Sequence, residues 1–157
     1  MTRMTDLKLL LTGLAMAILL AGCSSGQVRG EAPFAQVMNW SIEGQDLTAS
    51  LRLRNVNDEP LAVNALALRV VLQEQEVLID HRQAVDLDIP AGGFERVELQ
   101  LDATPGGTAL LQALEEKTLN SLPYRLDGNV ESPDEGVLEF SREGFIYTVP
   151  GRPGQFR

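Results

Sequence analysis

The chain predicts an all-β protein: an antiparallel β-sandwich with one short α-helix, placed behind an N-terminal export signal. Three observations predict it. From residue 45 onward apolar and polar residues alternate with period two, the mark of strands with one buried face. Clusters of Asn, Asp, Pro and Gly interrupt that alternation at roughly 8–12-residue spacing, as in sandwiches. Only one stretch, Ala109–Leu119, carries apolar residues at helical spacing.

The order begins with the signal. Arg3 and Lys8 precede an uncharged run, Leu9 to Leu20, which ends in Leu20-Ala21-Gly22-Cys23. A basic start, a short apolar core and small residues at the cut make a secretory signal helix. The run is shorter than the about 20 apolar residues that a spanning helix needs. Cys23 is the only cysteine, and a free thiol in an oxidising compartment is a liability that acylation removes. Leu20-Ala21-Gly22-Cys23 resembles the bacterial lipobox, which implies lipidation of Cys23 and cleavage before it. Ser24, where Asp would signal inner-membrane retention, implies an outer-membrane lipoprotein facing the periplasm. Residues 1–22 are then the signal peptide and 23–33 a lipidated tether. The polar segment Ser24–Pro33 has a root-mean-square reach of roughly 16–19 Å if flexible.

Within the domain, expected over 34–149, Leu47, Ala49, Leu51 and Leu53 alternate with Thr48, Ser50, Arg52 and Arg54. Asn55-Val56-Asn57-Asp58-Glu59-Pro60 breaks the pattern with turn formers. Leu61 and Val63, then Leu66, Leu68, Val70 and Leu72 follow with a change of parity, which predicts a bulge or a bend into a second strand. Val77–Ile79 and Val85–Ile89 read as two short runs, with His81 in a charged turn between them. Pro90-Ala91-Gly92-Gly93 is a turn, and Val97, Leu99 and Leu101 mark the next strand. Pro105-Gly106-Gly107 ends it, and Thr108 is expected to cap the helix, Leu110, Leu111 and Leu114 forming its apolar stripe. Tyr124, Leu126, Gly128 and Val130 form a strand. Ser132–Gly136 is a turn, and Leu138 and Phe140 belong to a final strand. Residues 150–157, with two prolines and two glycines, read as a flexible tail. Trp40 reads as a core anchor or an edge contact.

Charge and motif searches narrow the function. With 13 Lys and Arg against 22 Asp and Glu the formal charge is −9, which repels phosphate backbones and argues against nucleic-acid binding. Gly22-Cys23-Ser24-Ser25-Gly26 spells a nucleophile-elbow pattern, but no strand precedes it. A Ser-His-Asp triad would have to use His81, the one histidine. Asp86 and Asp88 share a strand face without forming a calcium loop. No cofactor or metal site is expected, and no enzymatic activity. Asn55 and Asn57 are read as turn-makers rather than ligand contacts, because Asn tolerates left-handed backbone and bonds its own backbone nearby.

Four pieces in one order resemble the late embryogenesis abundant type 2 family, whose module is the water-stress and hypersensitive-response (WHy) domain. They are Asn55-Val56-Asn57, Pro60-Leu61-Ala62-Val63, Ile89-Pro90-Ala91-Gly92-Gly93 and Tyr124-Arg125-Leu126-Asp127-Gly128. Val56 stands where the family usually has proline. The resemblance spans roughly residues 38–145. It implies a fibronectin-III/immunoglobulin-like sandwich and a non-enzymatic stress-protection role, with Asn55, Asn57 and Pro60 as the family motif. The partners it implies are the membrane, through acylated Cys23, and stress-damaged client proteins. The alternative is an envelope adaptor that engages one protein through a sheet edge or groove.

Overall fold

The computed structural model describes residues 30–157. Leu20, Ala21, Gly22 and Cys23 lie outside the described residues. Eight strands and one helix follow one another as β1 (Phe34–Glu43), β2 (Asp46–Arg54), β3 (Leu61–Leu72), β4 (Glu76–Ile89), β5 (Phe94–Asp102), α1 (Pro105–Glu115), β6 (Leu122–Ser132), β7 (Gly136–Ile146) and β8 (Gln155–Phe156). They form two four-stranded sheets, β5-β2-β1-β8 and β4-β3-β6-β7, in which every pairing is antiparallel. The expected all-β sandwich is the observed fold.

Alternation sets the faces. Leu47, Ala49, Leu51 and Leu53 of β2 are all buried, as are Val97, Leu99 and Leu101 of β5. Leu66, Leu68, Val70 and Leu72 of β3 meet Leu122, Leu126 and Val130 of β6 in the same core. Two of three register shifts reconcile pattern with pairing. One lies between Val63 and Ala65, where the parity change placed it, so β3 is one continuous strand. The other, between Val37 and Asn39, flips β1 so that Ala35 and Trp40 both point inward. Trp40 is a core residue, 3 % exposed, edge-on to the Tyr124 ring at 6.4 Å.

Four expectations need correction. Val77–Ile79 and Val85–Ile89 belong to one 14-residue strand, β4, and His81 sits mid-strand opposite Leu68, not in a turn. The inward phase of β4 carries His81 and Gln83 at the rim of the sandwich, which conceals its continuity. The helix starts earlier than Ala109. Thr104, not Thr108, is its N-cap: Thr104 Oγ1 accepts from Gly107 N at 3.0 Å and donates to the Val77 carbonyl. Pro105 then occupies the first turn, where its fixed φ suits a helix and its missing N–H costs nothing. Thr108 is instead a buried residue of the inward helix face, beside Leu111 and Leu114. Gly107 is required by close approach, since a Cβ there would lie 2.7 Å from Leu78 Cδ1.

The last correction concerns residues 150–157. They are a built element, not a loose tail. Tyr147 and Arg157 exchange two backbone hydrogen bonds of 2.9 Å, and Val149 N donates to Gln155 O. Strand β8 pairs with β1 at Trp40 and Ser41, and Phe156 is 1 % exposed. Gly154 is fixed from both sides, its N–H donating to Glu115 Oε1 at 2.7 Å and its carbonyl accepting from Ile42 N at 2.8 Å. The prolines and glycines that read as looseness are the turn of this C-terminal hairpin.

Candidate functional site

Three of the four sequence pieces meet at one end of the sandwich. Strand direction brings the β2–β3 loop, the β4–β5 loop and the β6–β7 turn to the end where the described chain enters β1. Asn55 is the centre of this end and is wholly buried. Its amide makes four hydrogen bonds. Nδ2 donates to Glu59 O at 2.7 Å and to Ile89 O at 3.1 Å. Oδ1 accepts from Asn57 N at 2.9 Å and from Asn57 Nδ2 at 3.0 Å. The Ile89 tie joins the loop to the end of β4, and the other three fold the loop on itself. Pro60, exposed, closes the loop before β3 begins at Leu61.

Asn57 carries the clamp outward. Its side chain forms a two-point pair with Glu31, accepting from Glu31 N at 2.8 Å and donating to Glu31 O at 2.9 Å. Gly30 N donates to Glu135 Oε2 at 2.8 Å. Backbone bonds from Asn55 N to Gly93 O and from Gly92 N to Asn57 O join the Pro90–Gly93 turn to the same node. Residues 30–31 are therefore held by side chains of two loops before the first strand starts. Asn55 and Asn57 act as backbone organisers here, with no acceptor or donor of Asn55 left for a ligand.

The fourth piece, Tyr124–Gly128, lies on β6 and solves a packing problem. Two cross-strand pairs with β7 are reciprocal: Tyr124 faces Gly144, and Gly128 faces Phe140. A Cβ on Gly128 would sit 2.6 Å from the Phe140 ring and from Ala67 O, and one on Gly144 would sit 2.8 Å from the Tyr124 ring. Each ring thus lies in the space its glycine partner leaves, a compact version of the cross-strand aromatic pair. Burial pushes the Tyr124 hydroxyl above the usual tyrosine pKa of 10.0.

On the outer face of the same sheet, Asp80, Arg69, Asp127 and Ser141 form a row across four strands. Arg69 pairs with Asp80 at 2.9 Å, Arg125 with Asp127 at 2.8 Å, and Ser141 Oγ donates to Asp127 Oδ1 at 2.7 Å. The Ser141 hydrogen bond first, with Arg125 and Arg69 adding to it, holds the Asp127 carboxyl below its usual pKa against the opposing effect of burial. His81 does not join this row. It lies on the other face, with Nε2 3.2 Å from Gln83 Oε1. Asp86 and Asp88 are exposed, and the described residues contain no group of three or more His, Cys, Asp or Glu placed to hold a metal ion. No helix among the described residues is long and apolar enough to cross a membrane.

No protein-family model and no curated protein matches this sequence. Solved structures do. The fold is similar to the solution structure of AT1g01470 from Arabidopsis thaliana, with a TM-score of 0.53 at 10 % identity, over 81 % of this chain and 85 % of that one. Another similar structure is At2g46140.1, described as a late embryogenesis abundant (LEA) protein, with a TM-score of 0.47 at 13 % identity over 96 % and 89 % of the two chains. A protein from Archaeoglobus fulgidus has a TM-score of 0.47 at 13 % identity, over 76 % of this chain and 98 % of that one. At such identities the likeness is one of fold.

Proposed function

We propose that this chain is a membrane-anchored, non-enzymatic stress-protection lipoprotein of the LEA type 2/WHy kind, held to the outer membrane through acylated Cys23 and shielding envelope proteins from inactivation. The observation that carries the reading is the clamp. Motif pieces spread from residue 55 to residue 93 in sequence form one hydrogen-bonded node around Asn55. That is what a shared structural motif, as opposed to a chance run of turn residues, requires. The similarity to AT1g01470 bears on the sandwich fold alone. The node also fixes residues 30–31, seven residues after Cys23, so an anchor at Cys23 would hold a rigid domain close to its membrane.

The experiment dries or heats an unrelated indicator enzyme with the purified protein. The control is an equal mass of a similarly acidic inert protein. The reading predicts clear excess protection at near-stoichiometric amounts. No excess would overturn it and favour the adaptor, which would instead capture one envelope partner at a defined ratio. The free edge of β7, flanked by exposed Phe145 and Tyr147, is where such a partner strand would add.

A further inference from the structure

The two outer faces of the sandwich treat arginine in opposite ways. On the β4-β3-β6-β7 sheet each of Arg69, Arg82 and Arg125 is neutralised by a carboxylate: Asp80, Glu131 and Asp127. On the β5-β2-β1-β8 sheet Arg52, Arg54 and Arg96 have no carboxylate within salt-bridge distance among the described residues. Register gathers them at one end. Arg54 lies between Phe34 and Phe94 in one cross-strand row, and Arg52 pairs with Arg96 in the next.

The aromatic residues of this patch are exposed. Phe34 is 43 % and Phe94 51 % solvent-accessible. Each is stacked by a guanidinium: Arg52 stands 4.1 Å over the Phe94 ring, and Arg142 of β7 stands 4.2 Å over the Phe34 ring. A cation stacked on an exposed ring presents apolar surface and positive charge side by side. That combination suits the boundary between lipid headgroups and acyl chains, where aromatic rings sit and arginine meets phosphate.

Charge along the face then sets direction. Below the arginine rows the same three strands carry Glu98, Asp102, Asp46 and Glu43. Arg54 and Asp46 are eight residues apart on one strand, about 27 Å at 3.4 Å per residue. Electrostatics are screened over about 8 Å at physiological ionic strength. A negative surface that meets the Phe34-Arg54-Phe94 row is therefore screened from Asp46, Glu43 and Asp102, while Glu98, one row beyond Arg52 and Arg96, accepts a hydrogen bond from Ser50 Oγ at 2.6 Å; the whole chain carries −9. The arginine end is also where the chain comes in: Glu31 is paired with Asn57, three residues beyond Arg54. From Cys23 to Gly30 the backbone spans at most about 25 Å.

We propose that this patch, Arg52, Arg54 and Arg96 with Phe34 and Phe94, docks on an anionic phospholipid headgroup surface and holds the domain in one orientation on its membrane. The proposal rests on the membrane-anchored reading above. The anchor supplies attachment and the patch supplies the pose. The β5-β2-β1 face at its arginine end then lies against the bilayer, with the acidic clamp loop of Glu31, Asp58 and Glu59 beside it, while α1 and the C-terminal hairpin point away.

The test uses the full chain reconstituted into vesicles of phosphatidylcholine, with or without about one-third phosphatidylglycerol to supply a negative surface potential, and with brominated acyl chains as quenchers. Phe94→Trp places a reporter in the patch, and Phe145→Trp places one at the far end of the sandwich. Flotation reads attachment, and bromine quenching reads pose. The expected result is co-flotation on both vesicle types. Phe94→Trp should then be quenched at least twofold more strongly than Phe145→Trp, and only when phosphatidylglycerol is present. Adding Arg52→Gln, Arg54→Gln and Arg96→Gln should abolish the difference. The same charge removed from the other sheet, Arg69→Gln, Arg82→Gln and Arg125→Gln, should leave it intact. Co-flotation with equal quenching of the two reporters overturns the docking and leaves the anchoring standing. So does a difference that survives loss of the three patch arginines, which would assign the pose to a protein-like or tether contact. Failure to float on either vesicle type overturns both.

Discussion

Asn55→Ala tests the clamp most directly. The substitution removes four hydrogen bonds at a side chain with no solvent exposure. Water cannot replace the lost amide at the Ile89 carbonyl, which is buried; the Glu59 carbonyl and the Asn57 amide are partly accessible. A buried group left unpaired costs about 1–3 kcal/mol, and a partly wetted one less. One full penalty and two reduced ones give about 3 kcal/mol. For a domain of this size that is a fall in Tm of about 10 °C. Urea unfolding of the wild-type and variant chains measures it, read by far-ultraviolet circular dichroism with linear extrapolation. Asn55→Asp sharpens the test. It keeps the acceptor oxygen for Asn57, loses both donated bonds, and sets a carboxylate against two carbonyls. It is expected to cost at least as much as alanine. Asn57→Ala touches only exposed or part-exposed bonds, so it is expected to cost about 1 kcal/mol. A loss below about 0.5 kcal/mol for Asn55→Ala, or wild-type stability for Asn55→Asp, would refute the reasoning, because surface substitutions reach that much without any buried network.

Four further outcomes follow from other parts of the fold. Gly128→Ala forces a Cβ against both the Ala67 carbonyl and the Phe140 ring, and overpacking of this kind is expected to cost about 1–3 kcal/mol in thermal unfolding. Gly144→Ala, opposed only by the movable Tyr124 ring, should cost less. Phe156→Ala is expected to lose about 3–5 kcal/mol, as for any buried Phe, whereas a flexible tail would lose nothing. On the acid side, Asp127 is held below its usual pKa, so its contribution is present above the ordinary carboxylate range and disappears as pH falls through the depressed value. Carbon-detected NMR titration should show Asp127 taking up its proton below the ordinary carboxylate range on acidification, and Ser141→Ala should raise its midpoint. Tyr124 behaves in the opposite sense. Its hydroxyl pKa is raised, so its contribution is complete below pH 10.0 and is lost as pH rises through the folded value. Absorbance at 295 nm through that range, compared with Tyr124→Phe, reads this.

The sequence was most legible where one clean alternation covered a whole strand. Leu47–Leu53, Val97–Leu101 and Tyr124–Val130 placed β2, β5 and β6 on the right face, and the parity change after Val63 located the β3 bulge. Strand β1 escaped because its bulge at Val37/Asn39 splits one inward face into two phases, Ala35 and Val37 before it, Trp40 and Ile42 after it. The helix start was misplaced because Thr104-Pro105-Gly106-Gly107 looks like the end of a strand. Only the contact of Gly107 with Leu78 shows why glycines belong inside that first turn. The candidate site was partly legible. Asn55 and Asn57 were expected as turn-makers, and the geometry gives them that work. The grip of Asn57 on Glu31 depends on contacts made over 26 residues of chain, and that of Glu135 on Gly30 over 105, which no local pattern carries. The arginine patch had a signal, since Arg52, Arg54 and Arg96 all occupy outward phases of their strands. Its meaning depended on knowing that β2 and β5 are neighbours.

The pairing of Trp40 with Phe156 has a kinetic consequence. The first sheet is completed only when segments from opposite ends of the described chain find each other. Contacts so distant in sequence form slowly, because loop-closure entropy must be met before any contact rewards it. Until then β1 keeps an open edge, and the tryptophan beside it stays uncovered. An open edge will accept a strand from any neighbour, including a second copy. Refolding yield should therefore fall with protein concentration, although the finished molecule has covered that stretch of edge with two residues of its own.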